Sequence, residues 1–206
     1  GLPNGNGFGL ASGGLPPEGM LYGHSFGFVL GQLLALQTAG FNNPAYAGSQ
    51  IALINSPVWD RHINSMLSEI SPAPYTDPSQ VWLGPVYRFG GWGDMLRLWI
   101  TPDSIQPFAL KALLDQQNGK TTSLNAARWW ASNALEGGVN AFYNRITQPW
   151  SWGVANSIFY FLLFDPAAPT ATDPRPSLPT VFYDQPQGRI TARTDWTNNA
   201  TQFGYR

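Results

Sequence analysis

The stretch LPPEGMLYGHSFGF, residues 15–28, places Tyr22 and His24 directly after a Pro-Pro-Glu-Gly loop, where an apolar helix is expected to begin. A tyrosine, with a usual pKa of about 10, can donate a proton at neutral pH, and it becomes a base where a nearby cation stabilises the phenolate. We therefore predict proton-transfer chemistry at Tyr22 and His24. The alternative is a tyrosine packed at the helix start beside a solvated histidine.

Two neighbouring regions could contact a ligand. Glu18 could accept a hydrogen bond from a sugar hydroxyl. Alternatively, its negative charge could simply stabilise the positive N-terminal end of the following helix dipole. The loop over residues 72–93 is rich in aromatic residues, and we predict substrate contacts for Tyr87, Arg88 and Trp92. A guanidinium pairs with a carboxylate or sulfate, and flat rings can stack on sugar faces. The alternative is a loop that buried aromatic side chains hold in place.

Other charged residues fit structural roles as well as functional ones. The tripeptide Asp60-Arg61-His62 lies on the polar side of a predicted helix, where solvation explains it. Arg189 and Arg193 fall on one face of a predicted strand. They could bind an acidic group, or they could pair with Asp195 and the neighbouring domain. Trp129 and Trp130 are expected in the core.

The composition excludes several kinds of site. Charged residues make up 11% of the chain, the net charge is −1 and there is no basic run, which argues against nucleic acid as a partner. There is no cysteine, no Cys/His/carboxylate cluster with metal-ligand spacing, no phosphate-binding glycine loop and no serine nucleophile elbow. The apolar run over residues 154–164 is about half the ~20 residues of a membrane span, so we predict a buried helix.

Hydrophobic periodicity predicts six helices over residues 20–165. The first, from Tyr22 to about Ala39, is apolar nearly all round, as in an inner helix, and should end at Gly40. The second should begin at Ser56 and Pro57 and be apolar on one side. Five prolines in residues 165–179 mark a boundary. Strands follow, with Asn198 and Asn199 expected to supply a left-handed turn.

The order of these segments resembles the heparinase II/III-like polysaccharide lyases, which are related to alginate lyases. The segments that carry the resemblance are RTDW before a strand ending FGYR, and PEG followed by a tyrosine at a helix start. The resemblance implies a mainly α chain, with a partial (α/α) toroid of helical hairpins over residues 1–164 and a linker over 165–179. The first strands of an antiparallel β-sandwich would then occupy residues 180–206.

The same resemblance implies β-elimination on a polysaccharide that contains uronic acid, with Tyr22 as acid or base. The family's Asn/His pair would precede residue 1, and its histidine-rich, sometimes metal-binding segment would follow Arg206, so both ends look cut. The expected partners are an acidic polysaccharide and either the rest of the parent chain or a second copy. No cofactor is expected within this chain, and the resemblance implies a periplasmic or secreted protein.

Two alternatives remain open. A glycoside hydrolase on a related α/α barrel would need a pair of carboxylic acids. The few candidates, Glu18, Asp60, Asp94 and Glu136, show no convincing pairing in the sequence. The chain could also be a carbohydrate-binding or scaffolding piece without catalysis.

Overall fold

The computed structural model describes residues 9–79, 81, 84–91, 100, 102–135 and 152–205. Helices predominate, and two small antiparallel sheets accompany them. The α-helices are α1 (His24–Thr38), α2 (Pro44–Ala47), α3 (Val58–Glu69), α4 (Ile105–Gln117), α5 (Thr122–Trp129) and α6 (Trp152–Leu163). The strands are β1 (Tyr75–Thr76), β2 (Pro85–Val86), β3 (Val181–Asp184), β4 (Arg189–Arg193) and β5 (Gln202–Tyr205).

Helix α1 follows a 3₁₀ turn over Met20–Gly23 and ends where predicted, with Gly40 at a φ of 83°. One side of α1 packs into the core through Phe26, Leu30, Leu33 and Leu34. The prediction of an inner helix buried all round is wrong for this chain, because Phe28, Val29 and Leu36 are exposed.

Helix α3 begins one residue later than predicted, with Pro57 as its N-cap and Val58 as its first residue. The Val58 N–H donates to the Ser56 hydroxyl at 3.3 Å, and Pro57 directly precedes the helix. The Trp59 indole donates to the Leu53 carbonyl at 2.8 Å, which ties α3 to the preceding 3₁₀ segment. The helix is buried on more than its apolar side, since Glu69 at its C-terminal end is fully inaccessible to solvent.

Helix α4 is the centre of the helical part and packs against α1, α5 and α6. Trp130, in a π-helical turn that continues α5, is fully buried and stacks on Phe108 with ring centroids 4.3 Å apart. Its indole donates to Ser104 at 2.9 Å. Trp129 is 5% exposed, so both tryptophans belong to the core as predicted.

Helix α6 contains the longest apolar run of the sequence, for which burial was predicted. It packs against α4, but Ile158, Phe161, Leu162 and the following Phe164 are more than half exposed. The prediction of a buried helix therefore holds for one face only. Among the described residues, no helix has the length and apolarity to cross a membrane.

The three-stranded sheet has the order β3-β4-β5, with Val181 opposite Ala192 and Ala192 opposite Phe203. The β4–β5 turn differs from prediction, because no described residue other than glycine has a positive φ, and Asn198 and Asn199 therefore do not supply left-handed conformations. The turn is closed instead by a hydrogen bond from the Ala200 N–H to the Thr197 carbonyl, 3.2 Å long.

The two faces of this sheet have unexpected environments. The apolar face carries Val181, Tyr183, Phe203 and Tyr205, which are all more than half exposed. The polar face of β4, with Arg189, Thr191 and Arg193, is buried against the end of α3. Ionic contacts, described below, therefore hold the sheet on the helices.

Candidate functional site

Tyr22 lies in the 3₁₀ turn that leads into α1, and its side chain is half-buried. Both backbone groups of Tyr22 form hydrogen bonds that hold this turn. The Tyr22 N–H donates to the Gly19 carbonyl at 3.1 Å, and the Tyr22 carbonyl accepts a 2.6 Å hydrogen bond from Ser25. Gly19 has a φ of 119°, a conformation that side chains with a Cβ rarely adopt. The phenol is therefore carried on a defined backbone at a helix start.

His62 of α3 packs beneath this turn. Its ring stacks on Phe26 with centroids 4.0 Å apart, and its Cε1 lies 3.9 Å from the position that a Cβ on Gly23 would occupy. The prediction that solvation explains His62 is wrong, because the residue is 1% exposed. The signal was present in the sequence, since residues 59, 62, 63, 66 and 67 follow helical spacing and share one face.

The His62 ring is held as a neutral tautomer. Nδ1 donates to the Gly14 carbonyl at 2.7 Å, so Nε2 carries the lone pair, and Nε2 has no hydrogen-bond partner among the described residues. Burial lowers the pKa of His62 to about 4, and the hydrogen bond to Gly14 opposes this shift only in part. The turn that bears Tyr22 therefore rests on an uncharged imidazole.

Gly14 brings this segment into direct contact with α3. Its φ is 110°, and a Cβ there would lie 2.5 Å from the backbone carbonyl oxygen of Arg61. The Gly14 carbonyl accepts a second hydrogen bond from Ser65 at 3.2 Å. A side chain at this position would push the glycine-rich segment off α3, and the support for the Tyr22 turn would move with it.

The other predicted residues of the helix start are less well defined. Glu18 is exposed at the surface of the loop before Tyr22, with its carboxylate accessible to a ligand. His24 is the first residue of α1, but its side chain lies outside the described part of the structure. Trp92 also falls outside the described residues.

Tyr87 has a structural position. Its side chain is 7% exposed, its hydroxyl accepts a hydrogen bond from Arg175 at 3.3 Å, and its ring lies 6.0 Å from that of Trp129. The Arg175 guanidinium is also paired with Asp173. In this arrangement the Tyr87 ring faces protein rather than a cleft, as the alternative for this loop expected.

Arg88 is already engaged by protein groups. It forms a 2.7 Å ion pair with Asp77, and its guanidinium lies over the Tyr75 ring at 4.2 Å. The side chain is about a quarter exposed, so a ligand carboxylate could reach it only in competition with Asp77. Of the predicted substrate contacts in this loop, Tyr87 and Arg88 are therefore both engaged by protein groups, Tyr87 by Arg175 and Arg88 by Asp77.

A buried ionic cluster joins the sheet to α3. Arg189 binds both carboxylate oxygens of Glu69, and Thr191 donates to the same carboxylate. Arg193 donates to the Ser68 and Ile70 carbonyls at the end of α3 and stacks on Trp196. Of the two roles left open for these arginines, the structure shows pairing with the helical part, whereas Asp195 accepts hydrogen bonds from Thr194 and Thr197 instead.

Asp184 is a second fully buried carboxylate at this junction. Its oxygens accept backbone hydrogen bonds from Leu15 at 3.0 Å and Gln187 at 3.2 Å. Burial raises the pKa of Asp184, and these two hydrogen bonds oppose the rise. No group of three or more potential metal ligands occurs among the described residues, so neither buried acid lies in such a cluster.

No family model, curated protein or solved structure matches this chain.

Proposed function

We propose that this chain is part of a polysaccharide lyase that cleaves uronic-acid-containing chains by β-elimination, with Tyr22 transferring the proton. The observation that carries the proposal is the position of Tyr22, a half-buried phenol on a fixed helix-start turn that packs on neutral His62. The resemblance of the PEG and RTDW segments to heparinase II/III-like lyases agrees with this choice.

The reaction requires three events at the sugar. A base removes the C5 proton beside the carboxylate, the C4–O bond breaks as a C4–C5 double bond forms, and the departing glycosidic oxygen receives a proton. Tyr22 in its phenol form can supply the last proton as a general acid. Glu18 is exposed on the loop just before it and could accept a hydrogen bond from a sugar hydroxyl.

The proposal includes the finer architecture. We propose that the helices belong to an incomplete (α/α) toroid ending near residue 164, and that β3–β5 begin a β-sandwich. The exposed apolar residues on α1, α6 and the outer face of the sheet support this, because each is a surface that further helices or a second sheet would cover. A periplasmic or secreted location belongs to the same proposal.

The test is an absorbance assay on alginate and heparin, because elimination creates a double bond conjugated to the carboxylate and hydrolysis does not. The parent protein should form an ultraviolet-absorbing product. Tyr22→Phe should lower kcat by about 100-fold or more. Tyr46→Phe is the matched control, since Tyr46 is 83% exposed on α2, and it should leave the rate unchanged.

Reducing ends without new absorbance would instead support a glycoside hydrolase. Binding without any cleavage would support a carbohydrate-binding piece. Equal rates for Tyr22→Phe and the parent protein would remove Tyr22 from the mechanism even if elimination occurred.

A further inference from the structure

A cleft of about 580 Å³ lies between the helical part and the free edge of strand β3. One wall is formed by the 3₁₀ segment before Gly14 and by α3, and the other by β3 and the turn after it. Its volume falls within the range of about 300–1,000 Å³ that is usual for small-molecule sites. The residues that this argument uses are Ser12, Gly13, Arg61, Phe182, Tyr183 and Gln185.

Arg61 supplies the charge of this cleft. One of its nitrogens, Nη1, donates to the Ser12 carbonyl at 3.0 Å, which fixes the direction of the side chain. Within the described ranges Arg61 forms no ion pair and no second hydrogen bond, so most of its five N–H donors remain open. A planar guanidinium in this state suits a carboxylate, which it can bind through two parallel hydrogen bonds.

Asp184 interacts with Arg61 at longer range, because the Arg61 charge opposes the rise in the pKa of Asp184, but no ion pair joins the two side chains. Asp184 directs its oxygens to the backbone N–H groups of Leu15 and Gln187, and its side chain is fully buried beside Gly13. Glu69, the other buried acid between α3 and the sheet, is paired with Arg189. Among the described residues, Arg61 therefore has a carboxylate in its electrostatic range but none bound to its guanidinium, which leaves donors for a ligand carboxylate.

The sheet wall offers backbone groups for neutral hydrogen bonds. The Arg193 N–H donates to the Thr180 carbonyl, so Thr180, and by alternation Phe182 and Asp184, direct their backbone groups to β4. Tyr183, which lines the cleft, must then direct its N–H and carbonyl away from β4, to the free edge of β3. A sugar has ring hydroxyls that can donate to and accept from such groups.

We infer that this cleft is a subsite for a uronate unit of an acidic polysaccharide, with Arg61 binding the sugar carboxylate and the β3 edge binding hydroxyls. The inference rests on the proposed function for its choice of ligand. It adds a binding position on the junction of helices and sheet that is separate from the Tyr22 phenol. The competing ligand is an extended peptide that pairs with the edge of β3. Such a peptide would leave the free N–H donors of the Arg61 guanidinium unused.

The experiment measures binding of alginate and heparin tetrasaccharides by calorimetry in a Tyr22→Phe background, where the ligand is not consumed. Arg61→Gln should raise Kd about tenfold or more, since a hydrogen bond to a charged group contributes about 1.5–3 kcal/mol. Lys120→Gln removes one exposed positive charge at the far end of α4 and should change Kd less than twofold.

A second variant protects the test against misfolding of Arg61→Gln. Gln185 is exposed at the cleft, and Gln185→Glu would place a negative charge beside the ligand carboxylate without removing the bond to Ser12. It should weaken tetrasaccharide binding severalfold and leave the melting temperature unchanged. A neutral tetrasaccharide of glucose should bind weakly and be insensitive to both variants.

The outcomes separate this inference from the proposed function. Arg61-dependent binding without an ultraviolet-absorbing product would support the cleft and contradict the lyase. Elimination activity with unchanged Kd in both Arg61→Gln and Gln185→Glu would overturn the cleft and leave the lyase standing. Tight binding of an extended peptide at residues 182–185, with no response to the uronides, would also overturn it.

Discussion

Glu69 and Arg189 form a bidentate ion pair across 120 residues of sequence, with Nε–Oε1 and Nη2–Oε2 distances of 3.2 Å and 2.8 Å. The carboxylate is fully buried and the guanidinium side chain is 6% exposed. Gly90 closes over the pair, since a Cβ there would lie 2.9 Å from Arg189 Nη2. Neither ion can be solvated unless the sheet separates from α3, so this pair couples the two parts of the chain.

Glu69→Gln should destabilise the protein strongly, because it removes the negative charge that binds the buried Arg189 guanidinium through two hydrogen bonds. Removal of one partner from a buried pair costs about 3–5 kcal/mol. The measurement is the free energy of unfolding from urea titration. Asp165→Asn is the control, since it breaks a 3.6 Å pair with Arg128 in which Asp165 is 47% exposed, and it should cost about 0–1 kcal/mol. An equal loss of unfolding free energy in the two variants would contradict a role of the Glu69–Arg189 pair in coupling the sheet to α3.

Protonation of His62 should reduce stability at acid pH. Burial lowers its folded pKa to about 4 from the usual 6.5, so the unfolded chain binds more protons than the folded chain between these values. Stability from this group is complete above pH 6.5 and is lost as the pH falls to about 4, by about 3 kcal/mol in total. Urea titrations at several pH values measure the slope.

His62→Gln is the matched variant for this pH dependence. A glutamine can still donate to the Gly14 carbonyl but does not titrate, so the slope between pH 6.5 and 4 should become shallower. The pKa of Asp184 is raised, which gives a contribution of opposite sign, but it is present in both proteins and cancels in the comparison. An identical slope in the two proteins would show that His62 does not carry the effect.

Helix boundaries were predictable from the sequence because their signals are local. Ser56 and Pro57 precede α3, and Gly40 follows α1, within one turn of the residues that they cap or terminate. His62 was misassigned because it follows Asp60 and Arg61 in a polar tripeptide, although its helical spacing from Trp59 places it on the buried face. The polar neighbours of His62 suggest exposure, whereas the helical period correctly places it on the buried face.

Local sequence pattern does not determine which face of the three-stranded sheet is buried. Alternation along β4 separates Arg189 and Arg193 from Ile190 and Ala192, but it does not say which face is buried. That choice depends on Glu69, which is more than a hundred residues away in sequence. The exposed apolar face is likewise a property of packing between distant segments.

Gly13→Ala should be strongly destabilising, because the new Cβ would lie 2.2 Å from the Asp184 carboxylate. That carboxylate is held by the Leu15 N–H and cannot move without breaking a buried hydrogen bond, so a loss of at least about 1–3 kcal/mol is expected. Gly31→Ala in α1 is the control, since its Cβ would meet Leu110 at an ordinary 3.4 Å. It should stabilise by about 0.5–1 kcal/mol through helix propensity. If both variants shifted the melting temperature in the same direction, the result would contradict the close packing at Gly13.

Tyr87→Phe distinguishes a core tyrosine from one that contacts substrate. The phenylalanine keeps the ring against Trp129 but removes the hydroxyl that accepts from Arg175, so the free energy of unfolding should fall by about 0.5–1.5 kcal/mol. Because the side chain is 7% exposed, the Kd for an acidic tetrasaccharide should stay within twofold of the parent value. Tyr75→Phe, on an exposed ring beside Arg88, serves as the control for stability and should change it little. A tenfold rise in Kd with unchanged stability would instead place the Tyr87 hydroxyl at the ligand, and the loop over residues 72–93 would then have to open on binding.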